Sequence, residues 1–402
     1  MSDIILFDDE VARGFEPFAL TRPAGELRAG ALLVRERWER ALGGSVTGYV
    51  TASHLRGFDE PGAAPVVFGD IFSGSWIVNA RFAPALVAID ASARMLVADR
   101  ELVGVRLSRG VSSEELIAGT VSLDSLAPGF DPEVATVGGW WMRAVWDYVA
   151  HLAPMLEHDI PILGASLASD SPREAIVFGR HPVYIEEGAE IEPSVCFDAT
   201  AGPILVRRGA HVQAFTRLAG PLYVGTGSTL SGDRIALSSI GDVSKVHGEL
   251  SNTIFLGHTN KGHDGFVGHS ILGRWVNLGA GTITSNLKNT YGPVSLWTPT
   301  GVRDTGLQFL GTLFGDHAKT GIGTRLTTGT VIGAGANVYG SAMPPKTVAP
   351  FSWGEAGSFS DYRLDKFLDV AERMMARRHV ALSSASRAQL QASYDARWSV
   401  TT

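Results

Sequence analysis

The chain is almost without cysteine. Cys196 stands alone among 402 residues, so no intrachain disulfide can close and no cysteine metal cluster can form. It also lacks a basic excess. Lysine and arginine number 34 against 41 acidic residues, a net charge of −7, which argues against a general nucleic-acid binder yet leaves room for a local phosphate pocket. Long apolar runs are missing too, and none approaches a membrane-spanning length. The first residues, Met-Ser-Asp with Asp8, Asp9 and Glu10 soon after, have neither the basic start nor the apolar run of a signal peptide. Together these absences predict a cytoplasmic protein with no membrane and no nucleic-acid partner. What the chain has in plenty is glycine, 47 in all, crowded most densely between positions 202 and 340. Its length exceeds what one hydrophobic core usually organises, so more than one domain is expected.

Large aliphatic residues recur at every sixth position: Val206, Val212, Leu218, Val224 and Leu230, then Ile240 and Val246. The pattern returns at Phe266, Leu272 and Leu278, and again at Phe314, Thr320, Leu326, Ile332 and Val338. A shorter run, Ile185, Ile191 and Phe197, opens the series. A period of six suits neither an amphipathic helix nor a simple alternating strand. It suits a triangular coil in which each unit makes one flat strand and one corner, with the anchor pointing inward and small residues easing the turn. Stacked coils then bury one another's apolar faces. The expected architecture for residues 176–355 is a left-handed parallel β-helix of hexapeptide repeats. Residues 247–265 and 285–306 leave the phase and read as loops off the scaffold, where binding residues tend to sit.

Residues 1–175 read as an α/β domain. Short buried strands are expected at 4–7, 48–50, 66–68 and 86–89, with helices over 26–42 and 140–156. Their alternation suggests a doubly wound sheet. Residues 356–402 read as a helical segment. In it, 361–378 places Leu364, Phe367, Leu368, Ala371 and Met375 on one face, and a helix there is expected to lie across the open end of the β-helix.

Two segments carry candidate chemistry: residues 260–266, with Lys261, His263, Asp264 and Phe266, and residues 276–286, with Asn277, Gly279, Ala280 and Asn286. Imidazole titrates near neutral pH, which suits a base that takes a proton from an attacking amine or hydroxyl. Asp264, or another carboxylate, would hold the tautomer of His263. The plain alternative is a histidine that hydrogen-bonds a loop.

These segments resemble the acetyltransferase half of the bifunctional glucosamine-1-phosphate acetyltransferase and N-acetylglucosamine-1-phosphate uridylyltransferase (GlmU) family. Gly262-His263 is followed, at the family's spacing, by Asn277-Leu278-Gly279-Ala280-Gly281-Thr282-Ile283-Thr284, within a match from Ile240 to Val338. The resemblance implies that His263 is the general base, that Asn277 contacts the sugar and that Asn286 lies near the acceptor. Gly279 and Ala280 would present backbone to the thioester of acetyl-CoA. The chain departs from the family at Phe266, where the family has tyrosine, and in lacking its upstream phosphate-gripping basic residues; Lys245, Lys261 and Lys288 are candidates to replace them, or are ordinary solvated lysines.

Nearly end to end, the chain resembles a variant branch of that family with a degenerate N-terminal nucleotidyltransferase-like domain. The stretches that carry this likeness are 17–23, Arg28, 35–38, 262–266 and 315–321. Ordinary nucleotidyltransferases wrap the nucleotide phosphates with a glycine-rich loop after the first strand. Here Phe7-Asp8-Asp9-Glu10 holds that place, so phosphate binding would fall to Arg13 and Arg22, with Mg²⁺ needed between carboxylates and phosphates and Asp147 or Asp159 as further metal candidates. The implied function is acetyl transfer from acetyl-CoA to an amino-sugar 1-phosphate, coupled to uridylyl transfer that forms UDP-N-acetylglucosamine or a related nucleotide sugar, in a homotrimer. Two alternatives stand beside it. One is an acyltransferase with a vestigial nucleotide-sugar-binding domain. The other is a non-catalytic β-helix scaffold, or a carbonic-anhydrase-like one in which His258, His263, His269 and His317 would serve zinc.

Overall fold

A computed structural model of the chain describes residues 3–127, 129, 133–167 and 175–399. Its contacts divide it into two units, one running to Asp147 and taking in Ser383–Ala396, the other spanning Tyr148–Leu382. Among the described residues, no helix is long and apolar enough to cross a membrane.

The first unit is built on a mixed sheet with strand order Val134–Thr136, Met95–Ala98, Glu101–Arg106, Trp76–Asn79, Asp3–Phe7, Ser45–Val50. Asp3–Phe7 runs parallel to both its neighbours, and its uninterrupted apolar run, Ile4 to Phe7, is buried as a central parallel strand requires. Glu101–Arg106 runs antiparallel to its two neighbours, so the α/β domain is built on a mixed sheet. The helix expected from Glu26 begins only at Val34 and ends at Leu42, with Gly43 in a left-handed conformation as its cap. Glu26 is instead buried beneath Arg35, whose Nε lies 2.7 Å away, and Tyr49, whose hydroxyl donates to it. A carboxylate held in that pair cannot open a solvated first turn. Residues 66–68 form only a bridge at Val66 to Tyr49. The strand expected at 86–89 lies instead at Phe82–Pro84, paired with Gly139–Trp141, which also moves the second helix downstream to Asp147–Ala150 and Leu152–Gly164.

The second unit is a parallel β-solenoid of about ten turns over residues 176–354. Its interior is three columns of stacked side chains. One runs Ile185, Val206, Val224, Ile240, Phe255, Leu272, Phe314, Ile332, Val348. A second holds Phe197, Leu218, Ile235, Leu250 and Val267. The third runs Ile191, Val212, Leu230, Val246 and then Lys261.

Lys261 explains one misreading of the sequence. The coil does not break over 247–265; Leu250, Phe255, Lys261 and Val267 are its anchors there, and two of its sides are shorter than six residues. A lysine in an anchor position and uneven sides together hide the period. Phe266, expected as an anchor, precedes the true one and is only partly buried. The second interruption is real. Ile271 pairs directly with Leu313, Asn277 bridges directly to Lys319 and Thr284 pairs with Leu326, so the chain leaves the coil after Thr284 and returns by Leu313. It forms a hairpin of Ser295–Thr298 with Gly301–Asp304, and its neck is closed by Leu310 N–H on Asn286 O at 2.9 Å.

Helix Leu364–Ala376 does not cap the open end as expected. It lies along the flank of the solenoid: Phe367 packs edge-on to Phe351 and His317 (centroids 5.0 and 5.7 Å), while Arg378, just past its end, donates to Val243 O at 3.1 Å. The corner it covers is a stack of rings, His258 on Trp275 at 4.3 Å and Trp275 on His317 at 6.4 Å. This gives the helix's apolar face, Phe367, Leu368, Ala371 and Met375, a better partner than a single coil end would offer.

Candidate functional site

Parallel strands bring their carboxyl ends to one edge, and in α/β sheets ligands bind there. In the first unit, that edge gathers Asp8 and Asp9 after Asp3–Phe7, Thr51 after Ser45–Val50, and Asn79 and Arg81 at the end of Trp76–Asn79. Asp8 is buried, accepting from Thr51 Oγ1 at 2.6 Å and from Ala24 N–H, and burial pushes its pKa up to about 6. Asp9 caps the helix Glu10–Arg13 through Ala12 N–H and accepts from Asn79 Nδ2 (2.9 Å) and two nitrogens of Arg81 (2.7 and 2.6 Å). Burial works against its ionisation, but Arg81 outweighs burial and holds the carboxyl below its usual range.

Both carboxylates are therefore engaged inside the protein, and Mg²⁺ would have to displace Arg81 to reach Asp9. The residues present do not fit that ion. Asp147 accepts from the backbone N–H groups of Arg143 and Ala144, and Asp159 is fully buried within Leu152–Gly164. The two arginines assigned to nucleotide phosphate also have internal partners. Arg13 donates to Asp8 O at 3.0 Å and to Ile117 O. Arg22, 1% exposed, makes a forked pair with Glu60 at 3.0 and 3.2 Å. Sequence reasoning missed Arg81 and Asn79 because strand pairing, not spacing, brings them to Asp9.

On the solenoid, His263 lies two positions past the buried Lys261. Its ring is exposed, with no hydrogen-bond partner among the described residues. Its backbone is held: the Lys261 ammonium donates to His247 O at 2.8 Å and to His263 O. Burial lowers the pKa of that lysine to about 8. Asp264 does not orient His263; it pairs with His247 Nε2 at 2.8 Å. With Asp233 these two bring an imidazole and two carboxylates within 4.8 Å of one another, a set able to hold a divalent cation. The four histidines considered for zinc are not gathered in this way. His269 Nδ1 pairs with Asn286 Nδ2 at 2.9 Å, its ring stacks on Phe309, and burial drops its pKa to about 4. Asn286 thus ties the neck of the inserted segment. Phe266 reaches the same spot: a Cβ on Gly268 would lie 2.4 Å from its ring tip and 2.8 Å from Asn286 Nδ2. Lys288 donates to Pro293 O within the inserted segment.

Asn277 sits one coil above Asn260, whose Nδ2 donates to Asn277 Oδ1 at 2.7 Å, and so stands beside the strand Asn260–Lys261 that leads into the His263 corner. Gly279 N–H donates to Thr320 O and Oγ1, both at 3.1 Å, and a Cβ there would meet Gly321 at 2.6 Å. This glycine is required by the close approach of the next coil. Ala280 O accepts from Gly323 N–H at 2.7 Å. The structure thus brings Phe266 and Asn286 together, places Asn277 and His263 on consecutive stretches of one region, and binds the Gly279 N–H within the scaffold.

Residues 4–166 match the family model described as sugar nucleotidyl transferase. A bifunctional sugar-1-phosphate nucleotidylyltransferase/acetyltransferase from Sulfurisphaera tokodaii is 25% identical over 43% of this chain and 42% of its own length. The bifunctional protein GlmU of Methanococcus vannielii is 31% identical over 25% of this chain and 24% of its own. The chain therefore spans less than half the length of these curated relatives. Among solved structures, the N-acyltransferase AntD from Bacillus cereus, crystallised with dTDP-4-amino-4,6-dideoxyglucose and coenzyme A, covers 52% of this chain and 99% of its own, at 14% identity and a TM-score of 0.23.

Proposed function

We propose that this chain, a sugar nucleotidyl transferase domain joined to a β-solenoid and a distant homologue of the bifunctional sugar-1-phosphate nucleotidylyltransferase/acetyltransferases, acetylates the amine of an amino-sugar 1-phosphate on its solenoid. The observation that carries this reading is His263: an exposed imidazole without a ring partner, on a backbone pinned from inside by Lys261, in the segment whose motif resembles the acetyltransferases. The ring takes the amine proton as nitrogen attacks the thioester carbonyl of acetyl-CoA. The tetrahedral adduct then breaks its C–S bond, and the imidazolium returns the proton to the departing thiolate. Asn277 orients the sugar, since an amide positions but does not accept a proton at neutral pH. The functional assembly we propose is a trimer, which a monomeric mass at micromolar concentration would contradict.

A coupled uridylyl transfer is the fuller form of this reading. The engaged cluster of Asp8, Asp9 and Arg81 where a glycine-rich loop would stand favours the second form, in which the first unit binds a nucleotide sugar without transferring it. Product analysis with glucosamine 1-phosphate, acetyl-CoA and UTP separates the two: N-acetylglucosamine 1-phosphate alone supports the second, a UDP-sugar the first. His263→Ala should lower acetyl transfer by about 10²–10⁴-fold with coenzyme A binding retained. Full activity in that variant would make His263 a structural loop histidine.

A further inference from the structure

Where helix Leu364–Ala376 ends against the solenoid flank, a cleft of about 210 Å³ remains. Three cations line it: Lys245 from the solenoid, and Arg377 and Arg378 just past the helix. The remaining polar lining is Asn260, Asn277 and His258, and no carboxylate is among the lining residues. Lys245, Asn260 and Asn277 are stacked in register on successive coils, so they present one polar row.

The hydrogen bonds already made decide what this row offers. Asn277 Oδ1 is taken by Asn260 Nδ2, so Asn277 turns its amide N–H₂ outward as a donor. His258 Nδ1 pairs with Arg274 Nη2 at 2.9 Å, and a guanidinium can only donate, so the imidazole proton sits on Nε2. The helix C-terminus would repel an anion through its free carbonyls, but Arg377, Arg378 and His379 N–H groups cover Arg373, Met375 and Ala376 O. The two adjacent guanidiniums meanwhile repel each other, and burial with Arg377 nearby lowers the Arg378 pKa. The cleft is thus a set of donors and positive charges without a counter-ion. Its volume falls below the roughly 300–1,000 Å³ of a pocket that holds a drug-sized ligand, so it fits a head group and not a whole nucleotide.

We infer that the cleft formed by Lys245, Arg377 and Arg378 over the Asn260–Asn277 row binds a phosphate monoester. The chemistry is shared by two sources, the 1-phosphate of an amino sugar and the 3′-phosphate of coenzyme A. Only the choice between them rests on the acetyl-transfer reading; the site itself does not. It also supplies cations for a phosphate where the sequence motif has none, two of them from just past a helix far along the chain from that motif.

Calorimetric titration of the full chain without turnover tests it, with glucosamine 1-phosphate against glucosamine and coenzyme A against its 3′-dephospho form. Wild-type protein should prefer one phosphorylated member of a pair, and rising salt should weaken that preference. The double variant Lys245→Gln/Arg377→Gln, both exposed positions, should weaken that ligand by about ten- to a hundredfold while leaving its phosphate-free partner unchanged. A sugar-phosphate effect assigns the acceptor; a coenzyme A effect assigns the donor. Equal binding of both members of each pair by wild type, or unaltered affinity in the variant, overturns the site. Because no acetyl transfer is measured, an inactive His263 mechanism would leave this result standing, and an empty cleft would leave that mechanism standing.

Discussion

Replacing Lys261 with methionine tests the most unusual packing decision in the solenoid. The side chain occupies an anchor position, stacked on Val246 in the third column, and is 2% exposed. Lys261→Met keeps an unbranched stem of similar length and removes the charge. Burial lowers the lysine from 10.5 to about 8. Below pH 8 both folded and unfolded chains carry the proton, and the folded one bears the full cost of the buried ammonium. Between pH 8 and 10.5 the unfolded chain binds more protons, so wild-type stability must rise with pH. Relative to the methionine variant, the wild type should gain about 1 kcal/mol by pH 8.5 and about 2.5 kcal/mol by pH 10. Losing the donors to His247 O and His263 O shifts the variant by a constant amount, about 1–3 kcal/mol per orphaned carbonyl, and does not alter the slope. Urea unfolding of both proteins at pH 7, 8.5 and 10 reads the difference directly. A stability difference that stays flat across that range would refute the reasoning, because it would mean the ammonium is solvated and the lysine is not a true core residue.

Asp8→Asn probes the strand-end cluster with the opposite sign. Asp8 has its pKa raised to about 6 from 3.8, so wild-type stability is intact below pH 4 and declines by about 3 kcal/mol as pH rises through 6; the variant should gain that amount at pH 7 and nothing at pH 4, as followed by thermal melts. Arg22→Ala leaves Glu60 without its forked partner and should destabilise the first unit by about 3–5 kcal/mol. Any loss of nucleotide affinity should then track unfolding, and a stable variant with selectively lost nucleotide binding would show that Arg22 serves phosphate after all.

The parts of the fold that a repeat encodes were legible from the chain alone. Val206 to Leu230 and Phe314 to Val338 keep strict phase, and the solenoid follows from them. Legibility failed where one anchor is polar and the coil sides shorten, as at Leu250, Phe255 and Lys261. Segment 86–89 failed for a different reason: a short apolar run cannot announce whether a partner strand exists, and here the partner Gly139–Trp141 pairs with Phe82–Pro84 instead. In the site, His263 and Asn277 were visible as a spaced motif. Arg81 and Arg377 were not, because Asp9 and Lys245 meet them only through sheet pairing and helix docking. The Gly279 N–H looked available in sequence, yet inter-coil approach commits it to Thr320.

The excursion between Thr284 and Leu313 has a consequence for how such a molecule can change. The coils on either side stack as though it were absent, with Ile271 on Leu313 and Ile283 on Arg325, and its two legs come together where Leu287 faces Phe309. Beyond that point the segment is tied to the trunk chiefly by its first strand, where Val294 and Leu296 are fully buried and a Cβ on Gly329 would meet Ser295 O at 2.4 Å. The hairpin is in effect a graft on a continuous trunk: another peptide spliced between the same two legs would inherit its position beside Phe266 and Asn286, provided that it refills the seat of Val294 and Leu296.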